Sequence, residues 1–126
     1  MKCALVFLAL ALTVQAAPPD SFFRALHIVE TGGKRGAILG DNGRALGPLQ
    51  IHRSYHIDSR VAGAYERCAD LDYSRRVVSA YLQRYAPAAF ASGDVTTLAR
   101  IHNGGPRGAS KPATIRYGEK VRRLTK

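Results

Sequence analysis

Two cysteines in 126 residues, one of them at position 3, constrain this chain more than any other feature. Met1-Lys2 followed by the apolar run Cys3 to Val14, with Val14-Gln15-Ala16 as a small-x-small site, reads as an export leader. The run is shorter than the roughly 20 residues needed to span a bilayer. Cleavage after Ala16 is expected to leave 17–126 as one secreted domain, with Cys68 as its sole thiol. A small exported domain normally leans on disulfides. This one must be held by side-chain packing, with Cys68 either buried or exposed to oxidation.

The apolar spacing supplies helices for that packing. Phe22, Leu26 and Val29, with Phe23 and Ala25, predict a largely buried helix over 22–30, capped by Asp20 or Ser21 and stopped by Thr31-Gly32-Gly33. Residues 32–43 are punctuated by glycine, and Asn42-Gly43 predicts a tight turn in a short β-hairpin. Leu46 to Tyr55 reads as a short helix entered through Gly47-Pro48. Val61 to Arg67 reads as a polar connector. Val77, Val78, Tyr81, Leu82 and Tyr85 give a helix from Asp70 or Asp72, ended by Pro87. Asp94 predicts a cap for a helix reaching His102, and Ser110 a cap for a basic helix over Lys111 to Leu124. The expected fold class is α+β, mainly α-helical, with a small β-hairpin between the first two helices.

Nineteen Lys and Arg face nine Asp and Glu, a formal net charge of +10. That field draws the chain towards polyanions such as wall polymers or anionic membrane surfaces. Charge does not select among them, but no zinc-finger or RNA-binding motif appears, so nucleic acid is not the expected partner.

Glu30 and Asp41 are the residues with chemical promise. Glu30 closes an apolar helix, where an acid opposes the helix dipole. Asp41 lies at a glycine-rich turn that can fold back over it. Glycosidic hydrolysis needs one carboxyl to protonate the leaving oxygen and one carboxylate as nucleophile or base. An apolar setting predicts a raised pKa for Glu30, and a polar loop a charged Asp41. Spacing alone leaves open a surface acid and a turn-forming aspartate.

Several segments, in order, resemble the invertebrate-type lysozymes. They are Val29-Glu30-Thr31-Gly32-Gly33, Gly40-Asp41-Asn42-Gly43, Gly47-Pro48-Leu49-Gln50-Ile51, Tyr55-His56-Ile57-Asp58, Tyr81-Leu82-Gln83-Arg84-Tyr85, and Ala99-Arg100-Ile101-His102-Asn103-Gly104-Gly105-Pro106. The resemblance, over about 23–121, implies a lysozyme-like fold and hydrolysis of β-1,4 bonds between N-acetylmuramic acid and N-acetylglucosamine in peptidoglycan. It implies Glu30 as proton donor and Asp41 as nucleophile of a retaining reaction, with carboxyls about 5 to 5.5 Å apart. It also implies a sugar-binding cleft bearing Ile51, His52, Tyr55, His56, Tyr81, Tyr85, His102, Asn103 and Gly104. No cofactor or metal is expected, and the chain is expected to be a monomer.

This chain departs from that family's cysteine-dense pattern and resembles a disulfide-free branch. Some relatives carry an isopeptidase activity attributed to serine and lysine, and here Arg44-Ala45 and His52 stand at those positions, so none is expected.

Three alternatives remain open at the level of sequence. A lytic transglycosylase-like muramidase would use Glu30 alone and leave anhydro-sugar ends. A metal hydrolase would use His52 and His56, one helical turn apart, but Arg53 replaces the glutamate that such a motif requires. A non-enzymatic cationic antimicrobial or nucleic-acid-binding module would rest on Arg116, Lys120, Arg122, Arg123 and Lys126.

Overall fold

The computed structural model describes residues 17–126; the expected leader, 1–16, lies outside the described residues. Six helices and one small sheet follow in the order α1 (Asp20–Thr31), β1 (Leu39–Gly40), β2 (Ala45–Leu46), β3 (Ile51–His52), α2 (Arg53–Ser59), α3 (Leu71–Tyr85), α4 (Pro87–Ser92), α5 (Val95–Gly104) and α6 (Ile115–Leu124). The expected mainly helical α+β class, with a β-element between the first two helices, is the class observed. Among the described residues no helix is long and apolar enough to cross a membrane.

The core shows why disulfides are dispensable. Phe22 and Leu26 of α1, Leu49 and Ile51 near the sheet, Val77, Val78 and Leu82 of α3, Leu98 of α5 and Val121 of α6 are all fully buried in one cluster. Each such side chain contributes about 1.5–3 kcal/mol of transfer free energy. Cys68 is a member of that cluster, and burial pushes its thiol up to about 11. A thiol so placed is protonated and shielded, hence inert.

The Asp caps lie where the sequence puts them: Asp70 accepts from the Tyr73 amide at 2.7 Å and Asp94 from the Thr97 amide at 3.2 Å. Several boundaries differ. At α1 the cap position is Pro19, and the Asp20 carboxylate is instead engaged by Arg24 and Arg75. Pro87 does not merely end α3; it opens α4 as the first-turn proline. Ser110 does not cap the last helix, which begins at Ile115. Two 3-10 turns, Gly108–Ser110 and Pro112–Thr114, precede it, wrapped on Arg100, which donates to Thr114 Oγ1 and to the Lys111 carbonyl, each at 2.9 Å.

The largest revision concerns 46–55. Gly47 and Gln50 have φ of 85° and 55°, left-handed values that no α-helix accommodates. The segment therefore forms a tight turn joining β2 to β3, and the helix begins only at Arg53. The three strands run antiparallel in the order β1-β2-β3, with Leu39 opposite Leu46, Gly40 opposite Ala45, Ala45 opposite His52 and Leu46 opposite Ile51. The expected Asn42-Gly43 turn connects the first two strands.

Gly47 carries two demands at once: a positive φ, and a hydrogen position that faces the Cys68 carbonyl so closely that a Cβ would collide with backbone. Gly47→Ala is expected to cost about 3 kcal/mol or more, a fall of roughly 10–20 °C in thermal midpoint by calorimetry.

Candidate functional site

Glu30 occupies the penultimate position of α1, and the local sequence explains how it faces inward there. Gly32 adopts φ 67° and terminates the helix, its amide returning to the Ile28 carbonyl at 2.9 Å. Thr31 then donates from Oγ1 to the Pro48 carbonyl at 2.9 Å, fastening the helix end to the β2–β3 turn. Only 18% of the Glu30 side chain is exposed.

Two groups meet the same oxygen of that carboxyl. Tyr117, from α6, donates its hydroxyl to Glu30 Oε1 at 2.5 Å. His102, from α5, sets Nε2 3.6 Å from Oε1. Behind His102 stands Tyr55, whose hydroxyl lies 2.9 Å from Nδ1, and Tyr55 in turn stacks on Tyr81 with ring centroids 3.6 Å apart and planes 10° from parallel. The imidazole is thus hydrogen-bonded at Nδ1 and set against the carboxyl at Nε2, with an aromatic wall backing it.

These contacts overturn the expectation of a raised Glu30 pKa. Burial is the largest single influence and pushes the carboxyl upward. The hydrogen bond and charge of His102, the Tyr117 hydroxyl and the His52 charge together outweigh it, so the carboxyl titrates below its ordinary 4.5. Conversely, burial and the adjacent Glu30 charge drive the Tyr117 hydroxyl well above its usual range, which keeps it a donor.

Asp41 sits in the turn between β1 and β2 with φ 49°, followed by Asn42 at φ 56° and Gly43 at φ 81°. Three successive left-handed residues curl the turn and point the carboxylate towards Arg44, 3.3 Å away, and His52, 3.2 Å away. Its side chain is 49% exposed.

Glu30, Asp41, His52, His102 and Asn103 converge on one cavity of about 370 Å³, completed by Ala45 and Gln50. This arrangement sets one mostly buried and one solvated carboxyl in a common cleft with imidazoles and an exposed amide, a set suited to acid–base chemistry on a polar substrate. Other expected binding residues lie elsewhere. Ile51 is wholly buried in the core, and His56 is buried with Nε2 2.8 Å from the Tyr73 hydroxyl, so neither side chain faces the cleft. Tyr81 is also buried and serves as the stacking partner of Tyr55; half-buried Tyr85 packs against it at 4.8 Å. Gly104 is spent on the α5 terminus, where its carbonyl accepts from Lys111 Nζ at 2.5 Å.

Separation of His52 from His56, one in the cleft and one in the core, removes the helical pair that a metal site would need. Among the described residues no group of three or more His, Cys, Asp or Glu side chains could hold a metal ion.

Two residues escaped the sequence reading. Tyr117 is 87 positions from Glu30 and only an ordinary member of a basic helix by pattern. Gln50 donates from Nε2 to the Ile38 and Gly47 carbonyls at 3.1 and 2.9 Å, pinning the sheet beneath the cavity. Its place in the Gly-Pro-Leu-Gln-Ile segment was the one available signal.

No protein-family model matches the chain. It is 41% identical over 86 residues to a lysozyme of Ostrea edulis, covering 64% of this chain and 62% of that one. It is 30% identical over 100 residues to the invertebrate-type lysozyme of Ruditapes philippinarum, covering 76% and 74%. The structure superposes on an inhibitor-bound lysozyme from Meretrix lusoria with a TM-score of 0.73, at 29% identity and covering 86% and 91%. For the Ostrea edulis relative and two others the chain spans 55–62% of their length.

The contacts on Glu30 tie its charge to stability. Its folded pKa is depressed, so the ionised form's stabilisation is complete above the ordinary 4.5 and is lost as pH falls through the lower folded value. Thermal melts from pH 7 down to pH 2.5 are expected to show a shallower acid decline for Glu30→Gln than for the wild-type chain.

Proposed function

The chain belongs to the invertebrate-type lysozymes, and from that premise we propose that it hydrolyses the β-1,4 bonds between N-acetylmuramic acid and N-acetylglucosamine in bacterial peptidoglycan. The observation that carries the reading is the single cavity lined both by Glu30, mostly withdrawn from solvent, and by the solvated carboxylate of Asp41. Two carboxyls in contrasting surroundings are what glycosidic cleavage requires.

In the retaining course, the Glu30 carboxyl passes its proton to the glycosidic oxygen as the C1–O bond breaks. The Asp41 carboxylate bonds to C1 from the opposite face, giving a glycosyl ester. Water then attacks C1 while Glu30, now a carboxylate, takes its proton, and Asp41 departs. Tyr117 and His102 both engage Oε1, which leaves Oε2 to carry the travelling proton. A glycan filling the cavity expels water from around Glu30 and moves its pKa upward, against the pull of its partners. Asn103, exposed at the cavity rim, offers both donor and acceptor to an N-acetyl group. His52 touches Asp41 directly and its charge is felt at Glu30.

We read 17–126 as the catalytic domain, acting outside the cell as a monomer after loss of the 1–16 leader. The exposed Arg116, Lys120 and Arg123 of α6 support approach to anionic wall polymers. With Arg44-Ala45 and His52 around Asp41, the reading includes no isopeptidase activity. Release of amine from a γ-glutamyl-lysine substrate would contradict that part.

Turbidity clearing of a peptidoglycan suspension is expected to fall about 10³-fold for Glu30→Gln and about 10²-fold or more for Asp41→Asn, with both variants still bound to walls. Proton NMR of the first products should show the β-anomer. Initial α-anomer, or exclusively anhydro-sugar ends, would remove Asp41 from the nucleophile's role, and clearing by Glu30→Gln at the wild-type rate would end the enzymatic reading. In Tyr117→Phe the lost hydrogen bond no longer holds Glu30 acidic. The alkaline limb of its kcat/KM profile is therefore expected at higher pH than in the wild type, with kcat reduced roughly tenfold.

A further inference from the structure

A second and larger cavity, of about 540 Å³, adjoins the first. It is lined by Leu39 of β1, Arg44 and Leu46 around β2, Arg53 at the start of α2, and Tyr65 and Glu66 in the 3-10 turn before α3. His52 borders both cavities, so the two meet at the edge of β3. The pairing register explains why their chemistry differs. Gly40, Ala45 and His52 share one face of the sheet, from which Ala45 and His52 line the carboxyl cleft, whereas Leu39, Leu46 and Ile51 share the other.

The composition of this second cavity suits something other than a sugar ring. Leu39 is 67% exposed, an unusual position for a large apolar side chain on a strand. The Arg53 guanidinium carbon lies over the Tyr65 ring, 4.5 Å from its centroid, and its Nη2 is 3.5 Å from Glu66. Tyr65 is itself locked, its hydroxyl donating to the Ile51 carbonyl at 2.5 Å. The cavity therefore offers two guanidinium groups, one carboxylate and a small apolar floor, all on side chains that the proposed hydrolysis does not use apart from Arg44.

Resting on the lysozyme reading, we infer that this cavity receives the peptide stem that branches from the glycan strand beside the cleaved bond. That stem is a short peptide bearing free carboxylates, small alkyl side chains and, in its third position, a diamino acid. Carboxylates complement Arg44 and Arg53, the amino group complements Glu66, and the alkyl groups lie on Leu39 and Leu46. A peptide-free strand offers only the lactyl carboxylates fixed on its muramic acid rings, with no alkyl or amino group for Leu39 or Glu66. The inference makes the enzyme sensitive to whether its glycan is substituted.

The test compares two soluble substrates: peptidoglycan strands with stems intact, and the same strands stripped of peptide by an amidase. Wild type is expected to cleave the intact strands with the higher kcat/KM. Arg53→Ala should lose roughly threefold to fivefold on intact strands, carried by KM, the scale of one solvent-exposed ion pair, and distinctly less on stripped strands, whose anionic groups are only the lactyl carboxylates held close to the sugar. Arg53→Lys should recover part of that loss. The Arg53 side chain is 70% exposed, and coincident thermal melts of the variants would show the fold undisturbed. Equal kcat/KM of wild type on both substrates, or equal losses by Arg53→Ala on both, overturns the inference while leaving the hydrolase standing. Cleavage of neither substrate by wild type overturns the lysozyme reading, and the stem site with it.

Discussion

A carboxyl with 18% of its side chain exposed has surrendered most of its hydration, and in this fold the compensation arrives from two helices other than its own. Glu30 comes from α1, His102 from α5 and Tyr117 from α6, and the last two meet at one carboxyl oxygen. An ionised acid in such a place is costly to the fold unless it is hydrogen-bonded. The packing of α6 on α1 and on α5 therefore does more than close the core. It delivers the donors that make the acid tolerable, and any shift of α6 would be felt first at Glu30. Tyr55 and Tyr81 extend the same logic outward by fixing the imidazole from behind.

A shell of backbone acceptors does the fastening that cross-links would otherwise do. Thr31 ties α1 to the Pro48 carbonyl, Tyr65 ties the 3-10 turn to the Ile51 carbonyl, and Thr114 ties the approach to α6 to the Gly108 carbonyl at 2.7 Å. Each links segments distant in sequence or closes an irregular one. With Cys68 buried in the apolar cluster, the domain depends on these bonds and on continuous apolar burial.

Much of the fold was legible because its signals are local. Alternating burial at 3.6-residue spacing marks α3, and Asp70 and Asp94 mark helix starts that the backbone hydrogen bonds repeat. The Asn42-Gly43 turn is equally local. The failures share a cause: they depend on contacts remote in sequence. Gln50 takes a left-handed conformation, φ 55°, in a segment whose apolar pattern allows a helix, and there its amide bonds Ile38. The segment before α6 curls around Arg100, fourteen residues back from Thr114. At the site, Glu30 and Asp41 were visible as residue types in a suggestive spacing, and the structure gathers both with His52, His102 and Asn103 around one cavity. The buried positions of Ile51, His56 and Tyr81 were not visible, since motif order carries no information on which side chain faces inward. Nor was the direction of the Glu30 shift, which is decided by Tyr117 and His102 rather than by the apolar residues next to it in sequence.

The central claim is that partners, and not burial alone, govern the Glu30 carboxyl. Carbon-detected NMR of its side-chain carboxyl across pH 2 to 8 tests this in the free protein. A midpoint below the ordinary 4.5 that rises in Tyr117→Phe is the predicted result. A midpoint above 4.5 that is unmoved by loss of the tyrosine hydroxyl would contradict the account.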